Sequence, residues 1–249
     1  MHKQIFLPSS MKNLSRLIIL FFCAMIVASA SAAEPAVNLV YGKVEKNNGG
    51  SGKTFAGREI ASVMSWHGAG WLERAERKTE ERPDLLLQAL EPKPGMVIAD
   101  IGTGSGYYAR QLATRVGTNG KVFAVDVQPQ MLDILNKQIQ ALGIKNITPV
   151  LSTERDVNLA KDSIDLAIMV DVYHELQYPI EVMTSLIKAL KPDGQLVLVE
   201  FRAEDPNVPI NAHHKMSQAQ IKKEAALLGL TWVKTISTLP WQHVVILRK

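Results

Sequence analysis

The chain has 249 residues, of which 47% are hydrophobic and 21% are charged, and its formal net charge at pH 7 is +4. This composition excludes a fibrous or intrinsically disordered protein and predicts one main globular domain with a sizeable core. Because Cys23 is the single cysteine, a disulfide within the chain and a cysteine-based metal site are also excluded.

The first 33 residues have the features of a secretory signal peptide. Three basic residues, Lys3, Lys12 and Arg16, precede an unbroken apolar run over residues 17–27. The run is too short for an ordinary transmembrane helix, and the small residues that follow it provide overlapping cleavage sites before Glu34. The sequence therefore predicts a bacterial protein that is periplasmic or secreted and that is not inserted in a membrane after cleavage.

Removal of this segment changes the charge balance. Residues 1–33 contain three basic residues and no acidic residue, which leaves 25 basic and 24 acidic residues in the mature chain. A nearly neutral chain gives no support for a nucleic-acid partner. Cys23 also falls in the predicted signal, so the mature protein has no thiol.

Two segments precede the predicted main fold. Residues 34–58 are polar and glycine-rich, lack sustained periodicity, and predict a flexible arm. Residues 49–54 look like a phosphate-binding loop, but that motif requires glycine in place of Asn47 and a preceding apolar strand. Residues 59–82 are charged, contain Trp66 and Trp71, and predict an N-terminal helical lid.

From residue 83 onwards, strand patterns alternate with helical patterns. The predicted helices are 83–90, 107–116, 129–142, 180–190 and 217–228, and the predicted strands are 96–100, 122–126, 147–151, 164–170, 195–201, 231–236 and 243–247. Such alternation favours right-handed crossovers and a parallel sheet with helices on both faces. The short connection between the last two strands predicts a hairpin and therefore one antiparallel strand. The expected α/β fold is a doubly wound, mostly parallel, seven-stranded sheet.

The most informative segment is a predicted strand that ends at Asp100 and continues through Gly102, Gly104 and Gly106 into a helix. Glycines allow positive φ and a close approach of backbone N–H groups to a ligand, and a helix N-terminus favours a carboxylate. The spacing is G-x-G-x-G, whereas dinucleotide-binding proteins have G-x-G-x-x-G. An acid before the first glycine suits a cationic amine better than a pyrophosphate. Asp126 ends the next strand, where a carboxylate accepts both hydroxyls of a ribose.

These motifs resemble those of class I S-adenosylmethionine-dependent methyltransferases over residues 83–249, including the family's fourth-strand motif at 165–176 and its fifth-strand motif at 190–200. The resemblance implies a Rossmann-like fold, S-adenosylmethionine as cofactor, and methyl transfer to a small-molecule acceptor by in-line displacement. Residues 171–175, 202–206 and 214–216 further resemble an exported bacterial subgroup. The cofactor-binding residues implied are Asp100, Gly102, Gly104, Gly106, Asp126, Val127, Thr153, Glu154 and Asp171.

Tyr173, His174 and Glu175 follow the fourth parallel strand, at the edge of the sheet where ligands bind. A phenol, a hydroxyl or an acidic carbon needs a base before it accepts a methyl group, and histidine is the commonest base. His174 is therefore the first candidate, with Glu175 and His214 next. The alternative interpretation is that the residues after the strand only cap and pack.

No metal site is predicted. The pair His174-Glu175 is not part of a zinc-binding H-E-x-x-H motif, which would place histidine at Tyr178, and His213 and His214 would need partners from elsewhere in the chain. Two other functions stay open. One is a nucleotide-dependent oxidoreductase on the same fold, which the glycine spacing disfavours. The other is a non-catalytic exported protein that binds S-adenosylmethionine, because this cofactor is made in the cytoplasm.

Overall fold

The computed structural model describes residues 39–249, and the predicted signal peptide, residues 1–33, lies outside the described residues. The described part begins with a three-stranded antiparallel sheet of β1 (Gly42–Lys43), β2 (Gly50–Phe55) and β3 (Arg58–Ala61). This differs from the flexible arm expected through residue 58. Few residues of these strands are apolar. Two of these, Phe55 and Ile60, are buried and anchor the sheet, and so does an ion pair from Arg58 to Glu224.

Short helices follow this sheet. A 3₁₀ turn (Trp66–Gly68) leads into α1 (Ala69–Leu72), α2 (Arg77–Glu80) and α3 (Pro83–Leu90). The helical segment therefore begins at residue 66, later than the predicted residue 59. Proline at the first position of α3 has a fixed φ that suits a helix start and lacks the N–H that would otherwise have no partner.

The central sheet contains the strands β4 (Val97–Ile101), β5 (Lys121–Asp126), β6 (Ile147–Leu151), β7 (Ile164–Val170), β8 (Leu190–Arg202), β9 (Lys215–Met216), β10 (Thr231–Ile236) and β11 (Gln242–Arg248). The strand order is β10-β11-β8-β7-β4-β5-β6, and β9 pairs with β8. Strands β4 to β8 are parallel, whereas β11 is antiparallel to both of its neighbours. The expected Rossmann-like, mostly parallel sheet with one antiparallel strand is confirmed, and β9 adds an eighth strand.

Helices cover both faces of this sheet. With α3, helices α4 (Tyr107–Val116) and α5 (Pro129–Ala141) pack on one face, and α6 (Pro179–Ala189) and α7 (Gln218–Leu227) pack on the other. In the central strand β7, alternate residues belong to opposite cores: Leu166 and Ile168 to the first, Ala167 and Met169 to the second. Burial on both faces explains the nearly continuous apolar sequence of β7. Within residues 39–249, no helix has the length and apolar character needed to cross a membrane.

Candidate active site

A cavity of about 930 Å³ lies at the carboxyl ends of the parallel strands. This volume falls within the range of about 300–1,000 Å³ that is usual for small-molecule sites. The loops after β4, β5, β6 and β7 line it, and residues 62–65, Trp71, Leu72 and Arg77 of the N-terminal segment also contribute. Of the residues predicted for the site, those that line the cavity are Gly102, Gly104, Asp126, Val127, Thr153, Glu154, Asp171, His174 and Glu175.

The glycine turn after β4 has a backbone that other residues rarely adopt. Gly104 has a φ of +56°, and a Cβ added there would lie 2.6 Å from Cδ1 of Leu72. Asp100 lies beneath the turn, where its Oδ2 accepts a hydrogen bond of 2.7 Å from Oγ1 of Thr103, and burial raises the pKa of Asp100 to about 6. Asp100 and Gly106 are not among the residues that line the cavity, and here they shape the turn.

Asp126 connects the glycine turn to the loop after β5. Its Oδ2 accepts the N–H of Gly104 at 2.9 Å, and its Oδ1 accepts the N–H of Gln128 at 2.8 Å. Burial raises the pKa of this carboxyl group above its usual value. A carboxylate offers about four acceptor positions, so room remains for two ribose hydroxyls. The residue therefore fits the cofactor role that the sequence assigns to it.

Asp171 and Arg77 place a carboxyl group and a guanidinium at another part of the cavity wall. Asp171 has a φ of +55°; its Oδ2 accepts a hydrogen bond of 2.8 Å from Gln242, and its buried Oδ1 has no hydrogen-bond partner within residues 39–249. Arg77 is buried and donates to Oε2 of Glu81 at 2.7 Å. The free carboxylate oxygen and the guanidinium match the ammonium and carboxylate groups of an amino acid. Arg77 could not be singled out from the sequence, because it is one of many charged residues in the predicted lid.

The predicted catalytic residues lie in a 3₁₀ turn (Tyr173–Glu175) after β7. Nδ1 of His174 lies 2.5 Å from Oε2 of Glu200, and its Nε2 lies 3.1 Å from Nδ1 of His214. The same His214 nitrogen is 3.0 Å from Oε1 of Glu175. His214 belongs to a second 3₁₀ turn (Ala212–His214), which β9 holds beside the end of β8. The fold thus brings His174, Glu175 and His214 together; we call these three residues the His-Glu-His cluster.

His174 and its partner Glu200 are buried, whereas His214 is partly exposed. Burial lowers the pKa of His174 to about 3 and raises the pKa of Glu200 to about 8. His174 is therefore uncharged near neutral pH, whereas the side chain of His214 is 25% exposed and is the more accessible imidazole. Tyr173 is buried in the core with α6 and α7 and is not among the residues that line the cavity. The sequence indicated neither Glu200 nor the role of Arg58, which donates to the carbonyl oxygen of His174 at 3.0 Å.

Three hydrogen bonds join residues 62–66 to the loops around the cavity. The side chain of Gln128 donates to the carbonyl of Met64 at 3.0 Å and accepts the N–H of Trp66 at 2.9 Å. Oε2 of Glu175 accepts the N–H of Met64 at 3.1 Å. We call residues 62–66 the strap. It connects the loop after β5, next to Asp126, with the His-Glu-His cluster.

Comparison with known protein families shows to which family the chain belongs. A family model described as a methyltransferase domain matches residues 92–245, more than half of the chain. The chain belongs to this methyltransferase family. S-adenosylmethionine is accordingly its cofactor, and the cavity has polar groups that suit this molecule, since the carboxyl groups of Asp126 and Asp171 and the backbone of Gly104 line it.

Individual relatives agree with the family. The methyltransferase chain is 25% identical to protein-L-isoaspartate O-methyltransferase of Pyrococcus horikoshii over 64% of this chain and 68% of that protein. It is 24% identical to demethylmenaquinone methyltransferase of Lactococcus lactis, over 59% of this chain and 57% of that protein. The chain covers between about one third and two thirds of the length of the curated relatives that it matches. The fold is similar to that of an S-adenosylmethionine-dependent methyltransferase from Aquifex aeolicus, with a TM-score of 0.70, 24% identity and coverage of 74% of this chain and 98% of that one.

Proposed function

We propose that this methyltransferase acts on a small, largely apolar acceptor that must lose a proton, such as a phenol or a hydroquinone. The observation that carries this proposal is the position of the His-Glu-His cluster, which lines the same cavity as Gly104 and Asp126. Proton-accepting groups therefore lie in the same chamber as the cofactor site. The apolar part of the lining includes Val63, Met64, Trp71, Leu72, Met131 and Val157.

The composition of the cluster distinguishes between acceptor classes. The isoaspartate named in one set of relatives is a carboxylate, which is already ionised near neutral pH and needs no base. The side chain of Glu175 would also repel it. A phenolic or hydroquinone hydroxyl must be deprotonated, and it benefits from the neighbouring imidazoles. The quinone-related name of another relative agrees with this second class.

The residues of the chain have separate tasks in this mechanism. Bound S-adenosylmethionine supplies an electrophilic methyl group on its sulfonium. Asp126 would hold the ribose of the cofactor and Asp171 its ammonium group, and the apolar wall would align the acceptor for in-line displacement. The cluster removes the acceptor proton; His214 is the accessible imidazole, and His174, held by Glu200, positions it.

A turnover assay tests this function. The protein is incubated with S-adenosylmethionine and a series of phenols and hydroquinones, and S-adenosylhomocysteine is measured. His174→Ala and His214→Ala should each lower turnover by ~100-fold or more and leave cofactor affinity nearly unchanged, as loss of a positioned base does. His213→Ala is the matched control, because His213 lies in the same turn and faces Glu59.

Two outcomes would contradict the proposal. Joint loss of cofactor affinity and thermal stability in His174→Ala, with normal turnover in His214→Ala, would assign the cluster a packing role. Wild-type protein that binds S-adenosylmethionine and releases no S-adenosylhomocysteine with any phenol or hydroquinone would instead favour a non-catalytic binding protein.

We also propose that the chain is exported and acts in the periplasm or outside the cell. The support is the sequence of residues 1–33, with its basic flank, short apolar run and small-residue cleavage sites. The resemblance of residues 171–175 and 202–206 to an exported subgroup agrees with this. An exported enzyme requires a source of S-adenosylmethionine outside the cytoplasm.

A further inference from the structure

Three lone-pair atoms of the His-Glu-His cluster converge on one point. Nε2 of His174 and Nδ1 of His214 are 3.1 Å apart, and Oε1 of Glu175 is 3.0 Å from the His214 nitrogen and 3.8 Å from the His174 nitrogen. A hydrogen atom on one of these atoms can form a hydrogen bond mainly to one neighbour, whereas a cation between them would interact with the lone pairs of all three. Within residues 39–249, this is the one group of three His, Cys, Asp or Glu side chains whose ligand atoms all lie within 4.8 Å of one another.

The distances between these three ligand atoms match those of a metal site. The circle through three atoms with these separations has a radius of about 2.0 Å, close to the metal–ligand distances of about 2.0–2.2 Å for imidazole and carboxylate ligands of zinc. A cation at such a distance from each atom would lie less than about 1 Å from their plane, which leaves a further coordination position open. Three protein ligands with an open position are typical of catalytic zinc sites.

Two of the ligands are oriented by partners on their far side. Nδ1 of His174 faces Oε2 of the fully buried Glu200 at 2.5 Å, and a hydrogen bond donated by Nδ1 to an ionised Glu200 leaves the lone pair of Nε2 directed into the cluster. The second oxygen of Glu175 accepts the N–H of Met64 at 3.1 Å, which leaves Oε1 for the cluster. Metal-binding histidines almost always have such a carboxylate or carbonyl behind them.

We propose that His174, Glu175 and His214 bind a divalent transition-metal cation of the zinc type. Two imidazoles and one carboxylate favour such a cation over Mg²⁺ or Ca²⁺, which prefer oxygen ligands. The predicted absence of a metal site rested on sequence spacing, and the fold brings together residues 40 positions apart.

The role of the cation rests on the proposed function. An acceptor hydroxyl bound at the open position would have a lowered pKa and would release its proton to water. Its oxygen then forms a bond to the methyl carbon while the C–S bond of the cofactor breaks, and one proton is released for each methyl group transferred. The two histidines act as ligands in this case, and the cation replaces the imidazole base.

Metal titration tests the site without cofactor or acceptor. Protein as isolated is treated with a chelator and titrated with Zn²⁺ by calorimetry and with Co²⁺ by visible absorption. One equivalent should bind, with the Co²⁺ absorption of a four- or five-coordinate site. His214→Ala and Glu175→Gln should weaken Zn²⁺ binding by ~100-fold or more, and Glu200→Gln by the roughly 10–100-fold that follows loss of a partner behind a ligand.

His213→Ala is the control for surface histidines and should bind Zn²⁺ as wild type does. Circular dichroism and cofactor affinity confirm that each variant is folded, and Glu175→Gln retains an acceptor for Met64. Wild-type protein that takes up no metal, or His214→Ala that binds it as tightly as wild type, would overturn the proposal. Methyl transfer by metal-free protein would show that the cation takes no part in the reaction, and the proposed function would still hold. Metal binding without methyl transfer to any acceptor would support the metal site and contradict the proposed function.

Discussion

Asp126 holds two parts of the cofactor site together, because one carboxylate receives N–H groups from both Gly104 and Gln128. We expect Asp126→Asn to weaken S-adenosylmethionine binding by at least ~10-fold, or about 1.4 kcal/mol. The amide loses half of the acceptor capacity that the ribose hydroxyls need. Calorimetric titration measures the effect. Asp133→Asn, an exposed acid on α5, should bind as wild type does, and equal affinity in both variants would contradict the assignment.

We expect Asp171 to make cofactor binding depend on pH. Burial, and then the carboxylates of Glu81 and Glu200, raise the pKa of Asp171 well above its usual value, while Arg77 lowers it. The free protein therefore keeps Asp171 protonated at a pH where an exposed aspartate is ionised. A bound ammonium group favours the ionised form, so binding should release a proton and affinity should rise as pH increases through this pKa.

Calorimetry in buffers of different ionisation enthalpy measures this proton release. Asp171→Asn should bind more weakly, release no proton and show a flatter pH dependence of affinity. Wild-type binding that is independent of buffer and pH would show that the ammonium group lies elsewhere.

The positions of several of these residues could be predicted from the sequence. Asp126, Asp171 and His174 follow strands whose apolar patterns are clear, and carboxyl ends of parallel strands meet at one edge. The burial of Asp100 beneath the turn had no such signal. Glu200 also escaped prediction, because its contact joins it to His174, 26 positions away. Arg77 escaped prediction because it is one of many charged residues in the predicted lid.

At the scale of elements, an ion pair holds β1 to β3 in place in addition to the buried Phe55 and Ile60. Arg58 donates to both carboxylate oxygens of Glu224 on α7, at 2.8 and 3.0 Å, and its partner is 166 residues away. The pattern of apolar residues within residues 34–58 does not indicate this contact. The sequence therefore predicted α4 to α7 and the central strands closely and missed the three-stranded sheet.

Removal of Arg58 should destabilise the protein strongly. The side chain of Glu224 is fully buried, so Arg58→Met leaves its carboxylate without a cationic partner, and such losses cost about 3–5 kcal/mol. Urea unfolding measures the difference in the free energy of unfolding. The double variant with Glu224→Leu should regain part of the loss. Lys191→Met removes a more exposed ion pair to Asp165 and should cost at most about 1 kcal/mol.

At the scale of the whole molecule, export predicts a shortened chain. Signal cleavage should remove about the first 33 residues, because small residues at 28–33 follow the apolar run. Intact-mass measurement of native protein from a periplasmic or culture fraction identifies the new N-terminus. A cytoplasmic protein with all 249 residues would rule out export, and it would also remove the difficulty of cofactor supply.

The strap joins two parts of the cavity wall. It is held at one end by Gln128, next to Asp126, and at Met64 by Glu175 of the His-Glu-His cluster. Three hydrogen bonds, each with a net contribution of about 0.5–1.5 kcal/mol, would break if it moved away from the cavity. A displacement of the strap would therefore change the surroundings of Asp126 and of Glu175 together, although the two carboxylates belong to different loops.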